Sequence, residues 1–260
     1  MVIESLIKPK QLEEKPILGL VFSLVLTIVC ILITAIFFRF NASLTAIMLI
    51  TVGSVPLLKT VLDIEEKKTL RTNTLKNLIL RNKKVFMIYS IFFLGLVIGY
   101  FLLYLLLPVN ITTDVFSAQV GVFGRVNIEG LHLNSFDWKL LDSILRNNVG
   151  VILLCILLSF LYGAGAILVL TWNASIVGTF LAGMGKIPLT IAFMPHTILE
   201  FVSYFLAAVS GGLIAVVLEK HRFGSRAFNK IILDATILLI LSFVIIIVAA
   251  FIEVYLLTLI

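Results

Sequence analysis

Residues 147–218 read NNVGVILLCILLSFLYGAGAILVLTWNASIVGTFLAGMGKIPLTIAFMPHTILEFVSYFLAAVSGGLIAVVL. These 72 residues carry only two formal charges, Lys186 and Glu200, and they place His196 one helical turn ahead of the glutamate. The run is several times longer than the roughly 20 apolar residues that a helix needs to cross a bilayer. A charged carboxylate near the bilayer centre costs about 2.5 to 3.5 kcal/mol, so Glu200 needs a specific role. The stretch therefore predicts several membrane-spanning helices that enclose a small polar cluster.

The composition of the whole chain agrees with a membrane protein. Of the 260 residues, 61% are hydrophobic and 13% are charged, which is about half the charge of a globular domain. The net charge of +6 comes from basic residues beside apolar runs, so it indicates topology and contact with the lipid bilayer, and we expect no nucleic-acid partner. Cys30 and Cys155 both lie inside apolar runs, where a thiol behaves as a small hydrophobic group. They predict neither a disulfide framework nor a metal site.

The N-terminal segment, residues 1–58, predicts a transmembrane hairpin. Its two apolar runs cover residues 17–38 and 40–58, and the first is too long for a signal-peptide core. Residues 59–84 then carry eight Lys or Arg against three acidic residues. This is the strongest cytoplasmic signal in the chain, and it predicts a basic linker lying on the membrane surface with the N-terminus also cytoplasmic.

Residues 85–260 predict a C-terminal helix bundle. The third span, 85–107, contains Gly95 and Gly99, whose four-residue spacing lets two helix backbones approach closely, either within one chain or between two copies. Residues 108–146 form the only other sizeable polar connection, with four acidic and three basic residues, so they are predicted to be an outer loop.

The segment 172–194 has two interpretations. It follows a fourth span predicted over 147–170, and it is interrupted by glycines, a lysine and a proline, so it either crosses the membrane or enters and returns. Basic residues in 219–230 favour the same side as the cytoplasmic linker. With 195–218 also traversing, this requires 172–194 to cross.

The predicted fold class is therefore all-α, a polytopic transmembrane helix bundle with about seven membrane segments, or six if 172–194 is re-entrant. The last span covers 231–252. Two acidic residues near its ends are expected to be solvated, Asp234 and Glu253.

His196 and Glu200 are four residues apart and share one helix face, with Pro195 in the first turn of that helix. In a functional interpretation the pair is a proton or cation station; in a structural one it ties the helix to the broken segment. The structural interpretation is favoured, because proton relays need a longer chain of ionisable groups. A metal site is disfavoured, since the other histidines, His132 and His221, fall on other loops.

Asn173 is the third polar residue of interest, because it lies just past the predicted end of the fourth span, where it could cap a helix or bond across the bundle. Small residues at four-residue spacing predict close helix packing nearby, and they include Gly163 and Gly211. Broken helices and glycines would also suit a transporter, so these features do not separate packing from transport.

Four motifs occur in a fixed order along the C-terminal half: Asn-Asn at 147–148, SFLYGAG at 159–165, WNASIVG at 172–178 and PHTILE at 195–200. This arrangement resembles the stage II sporulation protein M family of polytopic membrane proteins, over roughly residues 85–257. The chain departs from the family pattern at Ala174 and Thr197, where members typically carry glycine.

The resemblance implies a non-enzymatic membrane component, since the sporulation member acts as a scaffold that assembles partners which degrade peptidoglycan. We therefore expect a multi-pass cell-membrane protein that is a scaffold or membrane-shaping component, with membrane-protein partners or self-association. No catalytic residue and no cofactor are predicted, because no GxSxG or HExxH motif is present. From the resemblance we carry over only a structural or interaction role for Asn173, His196 and Glu200. The alternative is a small permease or channel subunit that uses the His196 and Glu200 cluster.

Overall fold

The computed structural model describes residues 9–71, 83–123, 135–162, 166–183 and 187–259. Within these ranges the chain is helical and contains no strand, which confirms the all-α prediction. A 3₁₀ turn, Arg39–Asn41, joins the second and third helices. The α-helices are α1 Pro9–Glu14, α2 Ile17–Phe37, α3 Ala42–Arg71, α4 Lys83–Leu106, α5 Val109–Val115, α6 Ser117–Phe123, α7 Trp138–Tyr162, α8 Ala166–Gly183, α9 Ile187–Lys220 and α10 Arg226–Leu257.

Six of the described helices are long and apolar enough to cross a membrane: α2, α3, α4, α7, α9 and α10. The shorter helix α8 is also apolar, and its 18 residues extend about 27 Å, close to the thickness of a hydrocarbon core. Helices satisfy their own backbone hydrogen bonds, which is why an apolar chain adopts them in lipid. The prediction of a polytopic helical membrane protein is thus confirmed.

Three helix boundaries in the C-terminal half differ from the prediction. Helix α7 begins at Trp138, nine residues before the predicted start, because Asp137 caps it by accepting hydrogen bonds from the Lys139 and Leu140 backbone N–H groups at 2.8 and 3.2 Å. The predicted broken segment is divided between α8 and α9. Asn173 therefore lies inside a helix and not at a break, and Pro195 lies two turns inside α9.

Some predicted features fall outside the described residues. These include Gly163, Lys186, His132 and residues 124–134 of the outer loop. The linker 59–84 is described at 59–71, where it continues α3 as helix, and at 83–84, where α4 begins.

The described chain forms two compact units that interleave in sequence. The first contains Met1–Val61, Lys83–Asn127 and Leu170–Ile187. The second contains Leu62–Asn82, Ile128–Val169 and Pro188–Ile260.

In the first unit, α2 and α4 pack side by side through the predicted glycine pair. A Cβ atom on Gly95 would overlap Ser23, and one on Gly99 would lie 2.8 Å from the Thr27 Cγ2 atom. The later glycine on α4 contacts the later residue on α2, so the two helices run parallel. The glycine pair therefore mediates packing within the chain, which decides between the two uses that the sequence left open.

Helix α8 packs on α4 in the same unit and in the same direction. A Cβ atom on Gly178 would lie 2.6 Å from the Val97 carbonyl oxygen and 2.8 Å from the Tyr100 Cβ atom. Gly183, near the end of α8, faces the Tyr104 ring, one turn further along α4. Close backbone contact thus requires a glycine at 178, and α4 and α8 run parallel.

The second unit is built from α7, α9 and α10. A Cβ atom on Gly211 would lie 2.8 Å from the Ser159 Cβ atom, as close as the predicted small-residue packing requires. Helix α10 runs antiparallel to α9, since Ser203 bonds to Ser242 at 2.9 Å while Ser210 bonds to the Ala235 carbonyl oxygen at 2.8 Å. These serine contacts hold the two helices together along about two turns.

The directions of the helices bear on the number of crossings. Asn148 on α7 contacts Glu200 on α9, and further along both helices Ser159 contacts Gly211. The two contacts follow the same order on both helices, so α7 and α9 run parallel. A chain that leaves one helix and enters a parallel one must return between them. Helix α8 is the segment that makes this return. The parallel packing of α7 and α9 within the second unit therefore favours seven crossings over a re-entrant segment.

Asp234 contradicts the expectation that it is solvated. Its side chain is only 2% exposed, because α10 begins at Arg226 and places this residue two turns inside the helix, beside the Ala235 contact with α9.

Candidate functional site

Asn148 is the centre of a polar network inside the second unit. Its Nδ2 group donates to Glu200 Oε1 at 2.7 Å, and its Oδ1 atom accepts from the Tyr204 hydroxyl at 2.8 Å. The neighbouring Asn147 also donates to Oδ1, at 3.1 Å. The network therefore joins α7 to two successive turns of α9 through one amide.

The parallel packing of α7 and α9 brings these residues together. Asn148 lies almost three turns into α7 and is 4% exposed, while Glu200 and Tyr204 are one turn apart on the facing side of α9. Directly beneath them lies an apolar cluster that includes Ile152, Cys155, Tyr204, Ala207 and Ile246. The amide thus supplies polar partners to groups that would otherwise face hydrocarbon.

A second carboxylate belongs to the same unit. Glu253 of α10 is partly buried and lies close enough to interact electrostatically with Glu200 and with the Tyr204 hydroxyl. The sequence placed Glu253 at a solvated interface, but α10 continues to Leu257 and carries the residue inside the helix. Nothing in the local sequence indicates this proximity, since 53 positions separate 200 from 253.

The structure places the three predicted polar residues in different surroundings. His196 is 7% exposed and lies one turn before Glu200, with its Nε2 atom 3.5 Å from the Thr197 hydroxyl. Asn173 is half-buried in α8 and belongs to the first unit, whereas His196 and Glu200 belong to the second. The hydrogen bond that the structure gives Glu200 comes from Asn148, which belongs to the Asn-Asn motif at 147–148 and was not predicted to be part of the polar cluster.

The first unit contains a polar bridge that sequence reasoning missed. Gln119 of the short helix α6 is fully buried, accepts from the Ser43 hydroxyl at 2.7 Å and donates to the Ser175 hydroxyl at 3.0 Å. It thereby links α3 to α8 from within the predicted outer loop. The signal was present, because Gln119 is the only strongly polar residue in the apolar stretch VFSAQVGVF at 115–123.

Helices α5 and α6 fold back onto the first unit and hold Gln119 in place. Phe116 is buried edge-on against the rings of Tyr100 and Tyr104, with centroid distances of 6.1 and 5.2 Å. Such edge-to-face pairs stabilise a packed arrangement beyond simple burial. The first part of the predicted outer loop is therefore a packed cap and not a free connection.

The chemistry that these groups can perform is limited. Among the described residues, no three His, Cys, Asp or Glu side chains are arranged to hold a metal ion. Each hydrogen bond of Asn148 and Gln119 described above connects helices of the same unit or neighbouring side chains. Both networks are suited to fixing helix positions.

The family model of stage II sporulation protein M matches residues 88–256, which is well over half of the chain. The chain belongs to the stage II sporulation protein M family. This confirms the resemblance drawn from the four sequence motifs, and the match includes all of α7 to α9 together with nearly all of α4 and α10. Comparisons with curated proteins and with solved structures yield no match. Both polar networks draw on the part of the chain shared with the stage II sporulation protein M family.

Proposed function

We propose that this stage II sporulation protein M family member is a non-enzymatic membrane scaffold or assembly component. The observation that carries the proposal is that the polar groups of the second unit bond to one another across helices. The Asn148 amide holds Glu200 and Tyr204 across two helices, which is what a structural network requires.

Close backbone packing supports the same proposal. Glycines at 99, 178 and 211 each face a neighbouring helix at a distance that leaves no room for a side chain. A scaffold needs a fixed surface, and helices in such contact cannot slide or separate without losing many favourable contacts.

We further propose that the protein lies in the cell membrane with its N-terminus cytoplasmic. Support comes from the basic residues of 59–84 and 219–230 and from the parallel packing of α7 and α9, which favours an odd number of crossings. In this orientation the 108–146 region is available to external partners, and the partners of a scaffold are expected to be membrane proteins or a second copy of this chain.

A small permease or channel subunit is the second candidate function. The observation that favours it is the electrostatic interaction of Glu200 with Glu253 in one membrane-spanning unit. Carboxylates at membrane depth commonly mark ion or proton pathways. A transport function requires water to reach these carboxylates.

Cysteine accessibility distinguishes the two functions. We would place single cysteines at 200, 225 and 146 in a background without Cys30 and Cys155 and label intact cells with a membrane-impermeant maleimide. Position 146 is the matched positive control, because Arg146 is exposed on α7 two residues before the network. The scaffold proposal predicts labelling at 146, none at 225, and none at 200 even in opened membranes.

The opposite result at position 200 has a direct follow-up. Labelling there would establish a water path to the network and overturn the scaffold as a complete account. Reconstituted protein would then be tested for cation flux, with the Glu200→Gln variant as the matched control for the carboxylate.

A further inference from the structure

The connection between α9 and α10 is a tight turn that presents an aromatic ring. The Ser225 backbone N–H donates to the Arg222 carbonyl oxygen at 3.1 Å, and Gly224 has a φ of 76°, the value of the third position in a type II turn. This left-handed conformation favours glycine. Phe223 occupies the turn tip and is 83% exposed, with its ring centroid 4.8 Å from that of Phe228.

The turn is fixed at its C-terminal side as well. Ser225 caps α10, since its hydroxyl accepts the Phe228 backbone N–H at 3.1 Å. The aromatic ring is therefore held outward by a defined backbone and is not displayed by a loose loop.

Basic side chains surround this ring. Arg222 and Arg226 are exposed on either side of the turn, and neither guanidinium pairs with a carboxylate of the described residues. Residues 219–230 together contain four Lys or Arg and one acidic residue. The turn thus combines an exposed apolar tip with a net positive charge.

The turn lies between two helices that can span a membrane, and this position indicates its partner. Helices α9 and α10 are both apolar enough to span a membrane, and only five residues connect them. A connection this short keeps the turn at the ends of these two helices, next to the membrane surface. We infer that the turn 222–226 docks onto anionic phospholipid, with Phe223 inserted among the acyl chains and both arginines contacting headgroup phosphates.

The physical basis is the sum of two modest effects. An aromatic ring at the bilayer interface removes apolar surface from water, and each basic residue at an anionic surface is favourable. An acidic protein is the competing partner, but it would have to compete with a lipid surface that is always present beside the turn.

The hairpin between α2 and α3 provides a matched control. Phe40 lies at its tip and is 105% exposed, with one arginine, Arg39, beside it and no acidic residue within four positions. It offers the same aromatic group with much less positive charge. A difference between positions 223 and 40 therefore reports the effect of charge.

The test uses the full chain with Trp138 and Trp172 replaced by Phe and a single tryptophan at 223 or 40. The protein is reconstituted in vesicles of phosphatidylcholine and phosphatidylglycerol, with bromine placed on the acyl chains of one lipid or the other at equal mole fraction. Brominated lipid quenches only tryptophan within the bilayer. We expect the anionic lipid to be enriched about fivefold around F223W relative to F40W, the factor that one basic residue contributes.

Charge variants identify the groups responsible. In the F223W background, R222Q/R226Q should abolish the preference for brominated phosphatidylglycerol, while R222K/R226K should retain it, and 0.5 M salt should weaken it. Equal quenching ratios at 223 and 40 would overturn the proposal. So would an F223W tryptophan that is quenched by aqueous acrylamide and not by either lipid, which would assign the turn to an acidic protein partner instead.

Discussion

Replacing Asn148 by alanine should destabilise the second unit. The substitution removes the donor to Glu200 and the acceptor for Tyr204 while leaving Tyr204 buried and Glu200 partly buried. A hydrogen bond to a charged group is worth about 1.5 to 3 kcal/mol and a neutral one about 1 kcal/mol in soluble proteins. Polar pairs in membrane proteins average about 0.6 kcal/mol. We therefore expect a loss of about 1 to 4 kcal/mol in the free energy of unfolding.

Cys155 offers a direct assay of this loss. Its thiol is fully buried in the apolar cluster beneath the network, so it reacts with a maleimide dye only when the second unit opens. In a Cys30→Ala background, Asn148→Ala should accelerate labelling of Cys155 by a factor between about 5 and about 1,000, the equivalent of the expected free-energy loss. The matched control is Asn147→Ala. This neighbour of the same type is exposed and gives the network only one hydrogen bond, so its loss should change the rate by less than about threefold.

Two results would refute this reasoning. Labelling of Asn148→Ala at the same rate as the Cys30→Ala parent would mean that the network contributes nothing to stability. The second is strict additivity in a double-mutant cycle of Asn148→Ala with Glu200→Ala. Because these residues bond at 2.7 Å, the double variant should be less destabilised than the sum of the single ones, by at least about 0.5 kcal/mol.

Three further predictions concern packing and surface contacts. Gly178→Ala should lower the melting temperature in detergent, because the new Cβ atom would collide with the backbone of α4. Gly150→Ala is the control: no atom lies within 4 Å of its new Cβ, so the melting temperature should stay unchanged or rise. Equal shifts for the two variants would contradict the packing argument. Gln119→Leu should increase cleavage of α6 in limited proteolysis, since Ser43 and Ser175 lose the buried partner that holds this short helix, and unchanged cleavage would contradict the bridge. Arg146→Gln should leave the melting temperature within error, because its ion pair with Asp142 is fully exposed, and a clear drop would show an unrecognised contact.

Hydropathy predicts the helices of the N-terminal half well, because every segment that crosses the hydrocarbon core must be apolar and helical. The first predicted span, 17–38, corresponds to α2 at Ile17–Phe37. The pair Gly95 and Gly99 was also recognised as a packing motif, but one sequence could not say which helix it faces. Its partner, α2, is determined by a contact across more than 70 residues.

The helix boundaries of the C-terminal half were harder to predict, for two physical reasons. Charged residues at the head of α7 extend the helix beyond the apolar run, so hydropathy detects only the part from Asn147 onward. The glycine at 178 was interpreted as a break, yet it lies inside α8, where it allows backbone contact with α4. In a membrane bundle, a glycine can indicate close packing as readily as the end of a helix.

The polar network shows what the spacing of residues along a helix can and cannot identify. Positions 196 and 200 were recognised because a four-residue interval places two side chains on one face. Asn148 is 52 residues from Glu200, and their contact depends on α7 and α9 running parallel at one particular register. That direction in turn requires α8 to return the chain between them. A wrong assignment of α8 as re-entrant would have reversed α9 and separated Asn148 from Glu200, so the site could be predicted only after the crossings were known.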